Sequence, residues 1–157
     1  MTLTIVCGRP GVGKTTTARE IAAETDATVI RSDVVRKDLL DDPTYSSEET
    51  ERVYNALLAR ASEHLPEPVV LDATFRRKRH RDDAVTLAEG AGVDYRFVKV
   101  ECDESVVRRR IQERTDDESD ADFSVYQEVE FEPLTRDATV VDNTPETAEP
   151  PAVQAGD

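Results

Sequence analysis

Gly8-Arg9-Pro10-Gly11-Val12-Gly13-Lys14-Thr15 fits the pattern G-x-x-x-x-G-K-[ST] at every position. Each residue type has a reason to be there. Gly8, Gly11 and Gly13 let backbone N–H groups turn inward around phosphate oxygens, where a side chain would block the approach. Pro10 stiffens the loop by fixing its own φ. Lys14 supplies a mobile cation for β- and γ-phosphates, and Thr15 a hydroxyl for Mg²⁺. The nucleotide is expected on Gly8, Pro10 and Gly11 to Thr16, including Val12. The competing reading is a chance glycine loop.

A loop of this kind indicates a nucleotide but not a reaction. Three other clusters narrow the chemistry. Arg31-Ser32-Asp33-Val34-Val35-Arg36 offers a carboxylate able to orient or deprotonate an acceptor hydroxyl. Arg36 stands one helical turn beyond it and can hold an anionic group. The plainer alternative is a helix-capping aspartate with exposed arginines. Val69-Val70-Leu71-Asp72 is an apolar run ending in one acid, suited to binding Mg²⁺ through water, or else a strand-end turn residue. The next residue is Ala73 and not a glutamate, and no Asn-Lys-x-Asp run occurs; both absences argue against a motor or a GTP switch. Arg108-Arg109-Arg110-Ile111-Gln112-Glu113-Arg114 precedes an acidic segment. Arg110 and Arg114 share a helix face and suit a mobile lid that brings cations to a transferring phosphoryl, or a solvated basic helix paired to its acidic neighbours.

These residues need a frame. Leu3–Cys7, Ala27–Ile30, Val69–Leu71, Tyr95–Val100 and Ala138–Val141 read as short apolar strands. Helical patterns fall between them: Thr16–Glu24, Val34–Leu40, Glu48–His64 capped by Ser46 or Ser47, a helix through Ala84, Leu87 and Ala88, and Ser105–Arg114. The alternation predicts an α/β fold, a mostly parallel five-stranded sheet with helices on both faces. Ligands belong at the carboxyl ends of the strands, where Gly8, Asp33, Asp72 and Asn143 all fall. A small lid is expected over about 115–122, a further helix over 123–131, and a disordered Pro/Ala/Glu-rich tail over 144–157, leaving one domain at 1–143.

Net charge is −14 over 157 residues, with 34 acids against 20 Lys and Arg. Such a field disfavours nucleic acid as a partner. Only four lysines occur, a composition like that of proteins from extreme halophiles. No apolar run is long enough for a membrane span, no secretion signal is evident, and Cys7 and Cys102 read as reduced thiols in a cytoplasmic protein. The run Arg76-Arg77-Lys78-Arg79-His80-Arg81 is unusually basic. It suits a phosphorylated or carboxylated acceptor, or a charged helix start exposed to solvent with His80 part of that surface; His64 also reads as exposed.

From about Leu3 to Asn143 the sequence resembles the small predicted P-loop kinases with an AAA-type domain. These are relatives of the kinase domain of phage polynucleotide kinase, gluconate kinase, chloramphenicol phosphotransferase and zeta toxins. The resemblance rests on GRPGVGKTT, RSDVVRK, VVLDATF followed by Arg81, RRRIQER and SDADFSVYQEVEFEP. It implies the P-loop NTPase fold and ATP with Mg²⁺ bound through Lys14 and Thr15. It implies Asp33 as acceptor base, Arg36 as an acceptor- or phosphate-side cation, and Arg110 and Arg114 as lid arginines. Pro145, Pro150 and Pro151 cut short the helix that relatives carry after the fifth strand, next to an adenine pocket near Asn143 and Thr144. The expected activity is γ-phosphoryl transfer from ATP to a hydroxyl of a small metabolite. A polynucleotide 5′-end kinase and a nucleotide-binding regulatory ATPase module are the alternatives.

Overall fold

The computed structural model describes residues 2–9, 12–40, 46–114, 131–134 and 137–143, with 110–114 as helix backbone only. In chain order these give β1 (Leu3–Cys7), α1 (Lys14–Thr25), β2 (Thr28–Arg31), α2 (Ser32–Leu39), α3 (Ser47–His64), β3 (Val69–Asp72), α4 (Lys78–Ala91), β4 (Tyr95–Glu101), α5 (Glu104–Arg114) and β5 (Ala138–Asp142). Every expected strand and helix within the described residues is present, with ends shifted by a residue or two, except that α4 starts at Lys78 and takes in much of the basic run. The expected lid at 115–122, all but the last residue of the helix at 123–131, and the tail at 144–157 lie outside the described residues.

The strands form one sheet, ordered β2-β3-β1-β4-β5, in which every pairing is parallel. β1 is the central strand and all five of its residues are buried, so it reads as an unbroken apolar run and not an alternating one. Alternation instead decides which core each residue enters. Leu3, Ile5 and Cys7 join Leu57, Ala61, Ala84 and Ala88 from α3 and α4. Val6 joins Ala18, Ile21 and Ala22 of α1 and Val107 of α5 on the other face. Fully burying a side chain such as Leu57 or Phe97 contributes roughly 1.5–3 kcal/mol.

Local chemistry sets the helix ends. Ser46 caps α3 by accepting from the Glu49 N–H at 3.2 Å, as its sequence suggests. Gly92 ends α4 with φ 70°, its N–H donated to Ala88 and Glu89 carbonyls. α1 buries Thr17, Ala18, Ile21 and Ala22, a stripe of mostly small residues that brings it close to the sheet. With all strands parallel, the carboxyl ends of β1, β2, β3 and β4 open on one edge of the molecule. Register places Arg31 beside Asp72 and Cys7 beside Lys99 there.

Candidate functional site

The site is built outward from the end of β1. Gly8 has φ 152°, and a Cβ on it would stand 2.5 Å from the Val100 carbonyl oxygen. Only glycine lets the chain pass so close to β4. Its N–H is given to the Thr74 carbonyl at 3.1 Å. Gly8 therefore serves close backbone packing, with its own N–H already engaged. Pro10 and Gly11 lie outside the described residues. Val12 is buried under the loop. Gly13 takes φ 94° as the N-cap of α1, with no side chain capping the first turn and no acid within it. A helix start of this kind presents free amides and positive partial charge to an anion.

Lys14 is half-buried, and its Nζ donates to the Arg9 carbonyl at 3.1 Å. Burial holds its pKa below the ordinary lysine value, while Asp72 and then Asp33 push it back up. Thr15 Oγ1 donates to Asp72 Oδ2 at 2.8 Å, and Asp72 is only 5% exposed. A hydroxyl beside one buried carboxylate is a hard-oxygen donor pair. It suits Mg²⁺, which takes one or two protein oxygens and completes its shell with water and phosphate. Among the described residues no group of three His, Cys, Asp or Glu side chains could hold a metal by itself.

Asn143, expected beside the adenine, reaches the phosphate loop. Its Nδ2 donates to the carbonyls of Val12 and Gly13, both at 3.1 Å, and to Thr17 Oγ1 at 3.3 Å. The end of β5 thus braces the phosphate loop from behind. Asp33 stands in the first turn of α2 with 69% of its side chain exposed, across the sheet edge from Lys14. Arg36 is buried and its Nη1 lies 3.7 Å from Glu49 of α3. Thr16 is exposed at the start of α1. Arg110 and Arg114 lie on α5, and their side chains are outside the described residues.

The basic run is split: Lys78 and Arg79 are exposed, and the end of the run is not. His80 is 3% exposed and Arg81 2%; the expectation of a solvated surface is wrong for both. His80 stacks on Tyr54 with ring centroids 4.0 Å apart and shares Nε2 with Glu51 Oε2 at 2.9 Å. Arg79 also pairs with Glu51. Arg81 donates to the carbonyl of Glu132 at 2.8 Å and lies over the Phe131 ring. The Glu132 carboxylate in turn accepts from the Lys78 N–H at the start of α4. Residues 131–134 clasp this helix start. Tyr54 accepts from the Phe75 N–H at 2.9 Å, and Phe75 holds φ 48°. Burial pushes the Tyr54 hydroxyl up to about 12 and the Cys7 thiol up to about 11, so both are protonated spectators at neutral pH. Tyr54 and His80 lay hidden in the sequence because an aromatic on an apolar stripe and a histidine in a charged run each have a blander default. Only the meeting of α3 with α4 pairs them.

Comparison with known proteins bears on this geometry. A family model described as "AAA domain" matches residues 3–131. No curated protein matches the chain in sequence. Among solved structures, a putative kinase from Chloroflexus aurantiacus superposes with TM-score 0.74 at 21% identity, covering 94% of this chain and 90% of that one. A gluconokinase from Sinorhizobium meliloti gives 0.71 at 22% identity, covering 93% and 85%. The Mycobacterium tuberculosis APS kinase, in complex with AMPPNP and APS, gives 0.69 at 16% identity, covering 90% and 87%. At these identities the likeness shows a shared fold.

Proposed function

The chain belongs to the AAA-domain family, and from that premise we propose that it is an ATP-dependent kinase for a hydroxyl of a small metabolite. The observation that carries the reading is one edge holding two separate sets of groups. Thr15 and Asp72 form a metal-side pair beneath the phosphate loop. Asp33, an exposed carboxylate on α2, faces this pair across Arg31. The residue after Asp72 is the buried Ala73, where a hydrolytic ATPase would carry a carboxylate to activate water.

In this reading the α1 amides and Lys14 hold the phosphates of ATP. Mg²⁺, when bound by Thr15 and through water by Asp72, would neutralise charge on the β- and γ-oxygens. Asp33 takes the acceptor hydroxyl proton as its oxygen bonds to the γ-phosphorus, and the bond from that phosphorus to the bridging oxygen breaks to release ADP. Arg36, anchored by Glu49, faces the acceptor or the transferring group. Arg110 and Arg114 bring charge over the phosphoryl and exclude water. The domain is taken as 1–143.

The test is ATP consumption against a panel of acceptors: sugar acids, sugars, nucleosides, phosphorylated alcohols and a 5′-hydroxyl oligonucleotide. Turnover stimulated by one small hydroxylated compound, with the phosphorylated product identified, is the expected result. Labelling of the oligonucleotide alone would make it a polynucleotide 5′-end kinase. Slow hydrolysis that no acceptor stimulates would leave a nucleotide-binding regulatory module.

A further inference from the structure

Arg31, the last residue of β2, opens the RSDVVRK run but has no role assigned above, and it lies between the two carboxylates that the proposed reaction uses. Its Nε is 3.5 Å from Asp72 Oδ2, the same oxygen that accepts from Thr15. Its Nη2 is 3.8 Å from Asp33 Oδ2. Nε is buried and makes no hydrogen bond among the described residues. Charge, more than a directed bond, therefore holds Nε against Asp72, and a metal ion can compete with charge. The parallel pairing of β2 with β3 puts Arg31 in register with Asp72. Lys14 also feels both Asp72 and Asp33. Two cations and two anions therefore meet at the ends of β1, β2 and β3 and balance one another.

We infer that Arg31 is a resident counter-cation, a positioning residue that neutralises Asp72 in the nucleotide-free protein and yields that carboxylate when Mg²⁺ arrives with nucleotide. The inference rests on the reading of Thr15 and Asp72 as the metal side. A nearly buried carboxylate without a cation pays a desolvation cost, and two uncompensated acids at one sheet edge would repel each other. Arg31 removes both penalties before ligand binds. It also competes with any divalent cation for Asp72, which disfavours metal binding in the absence of nucleotide phosphates. Once Asp72 is engaged elsewhere, the remaining partner of the guanidinium is Asp33. Arg31 in this way links the filling of the metal side to the setting of the acceptor base.

The test measures Mn²⁺ binding to the nucleotide-free protein by the loss of free-ion electron paramagnetic resonance signal. Arg31→Gln should bind Mn²⁺ about fivefold tighter than the wild type, the size expected for removing one close, partly screened charge. Arg31→Lys should stay near the wild type, and adding Asp72→Asn to Arg31→Gln should abolish the gain. Equal affinity in the wild type and Arg31→Gln, or a gain that survives Asp72→Asn, overturns the inference. A second measurement needs no variant: the Arg31 Nε–H resonance of the wild type should move on adding AMPPNP with Mg²⁺, and not with AMPPNP in EDTA. A resonance that moves equally in both also overturns it. A wild type that binds no nucleotide at all would sink the kinase reading, while the Mn²⁺ comparison would still decide the role of Arg31.

Discussion

At the scale of single residues, two side chains separate nucleotide binding from transfer. Among the described residues the one hydrogen bond of Lys14 Nζ goes to a loop carbonyl, so Lys14→Ala should leave the thermal midpoint nearly unchanged. Losing charge-assisted bonds to phosphate should weaken ATP binding by about ten- to a hundredfold. Calorimetric titration with AMPPNP checks this, and near-native affinity would refute the phosphate-loop assignment. Asp33 is exposed, so Asp33→Asn keeps the shape and removes the proton acceptor. Acceptor phosphorylation should fall ~10²–10⁴-fold, with ATP affinity nearly constant and basal hydrolysis reduced less than transfer. If the variant instead loses ATP·Mg²⁺ binding and keeps its transfer rate, Asp33 acts on the metal side and Asp72 becomes the candidate base.

At the scale of elements, the site depends on a relay between α3 and the loop after β3. Glu51 holds His80, His80 stacks on Tyr54, and Tyr54 accepts the N–H of Phe75. The neighbouring Thr74 carbonyl takes the Gly8 N–H of the phosphate loop. The left-handed φ of Phe75 costs of order 1 kcal/mol or more for a bulky residue, so the relay must hold it. Tyr54→Phe leaves the buried Phe75 amide without an acceptor and should destabilise the fold by about 1–3 kcal/mol, read as a lower denaturant midpoint at unchanged slope. Glu51 adds a pH dependence. The hydrogen bond from His80, with help from Arg79, holds its carboxyl below the ordinary value of 4.5. A lowered pKa in the folded state means stability that is present above pH 4.5 and lost as pH falls through the folded value. The gap in thermal midpoint between wild type and Glu51→Gln should therefore close as pH falls from 4.5 through the folded value. A gap that stays constant over that acid range would contradict this pairing.

At the scale of the whole molecule, the acidic surface sets the response to salt. With net charge −14, self-repulsion works against the compact state, and molar salt shortens its range to about 3 Å. If this surface is a halophilic adaptation, the thermal midpoint should rise between low and molar KCl, with site function retained. A flat or falling midpoint in a differential scanning experiment counts against that reading. Among the described residues no helix is long and apolar enough to cross a membrane.

The order of elements, the phosphate loop and the acids at strand ends were legible because their signals are local. A glycine pattern, a 3.6-residue period and an apolar run need only a few neighbours in sequence to be read. What the chain did not disclose is non-local. Gly8 is needed because β4, some ninety residues on, approaches its backbone. Asn143 braces the loop from the last strand. Arg31 gains its meaning only when β3 pairs beside β2. His80 and Arg81 lie within a run of charge that, taken locally, belongs in water. Tyr54, Glu51 and the segment at 131–134 supply the partners that make burial affordable, and those partners come together only in the folded chain. Spacing decided which residues could do chemistry, and tertiary pairing decided which charges face one another, because Coulombic and hydrogen-bond partners depend on distance in space and not on separation along the chain.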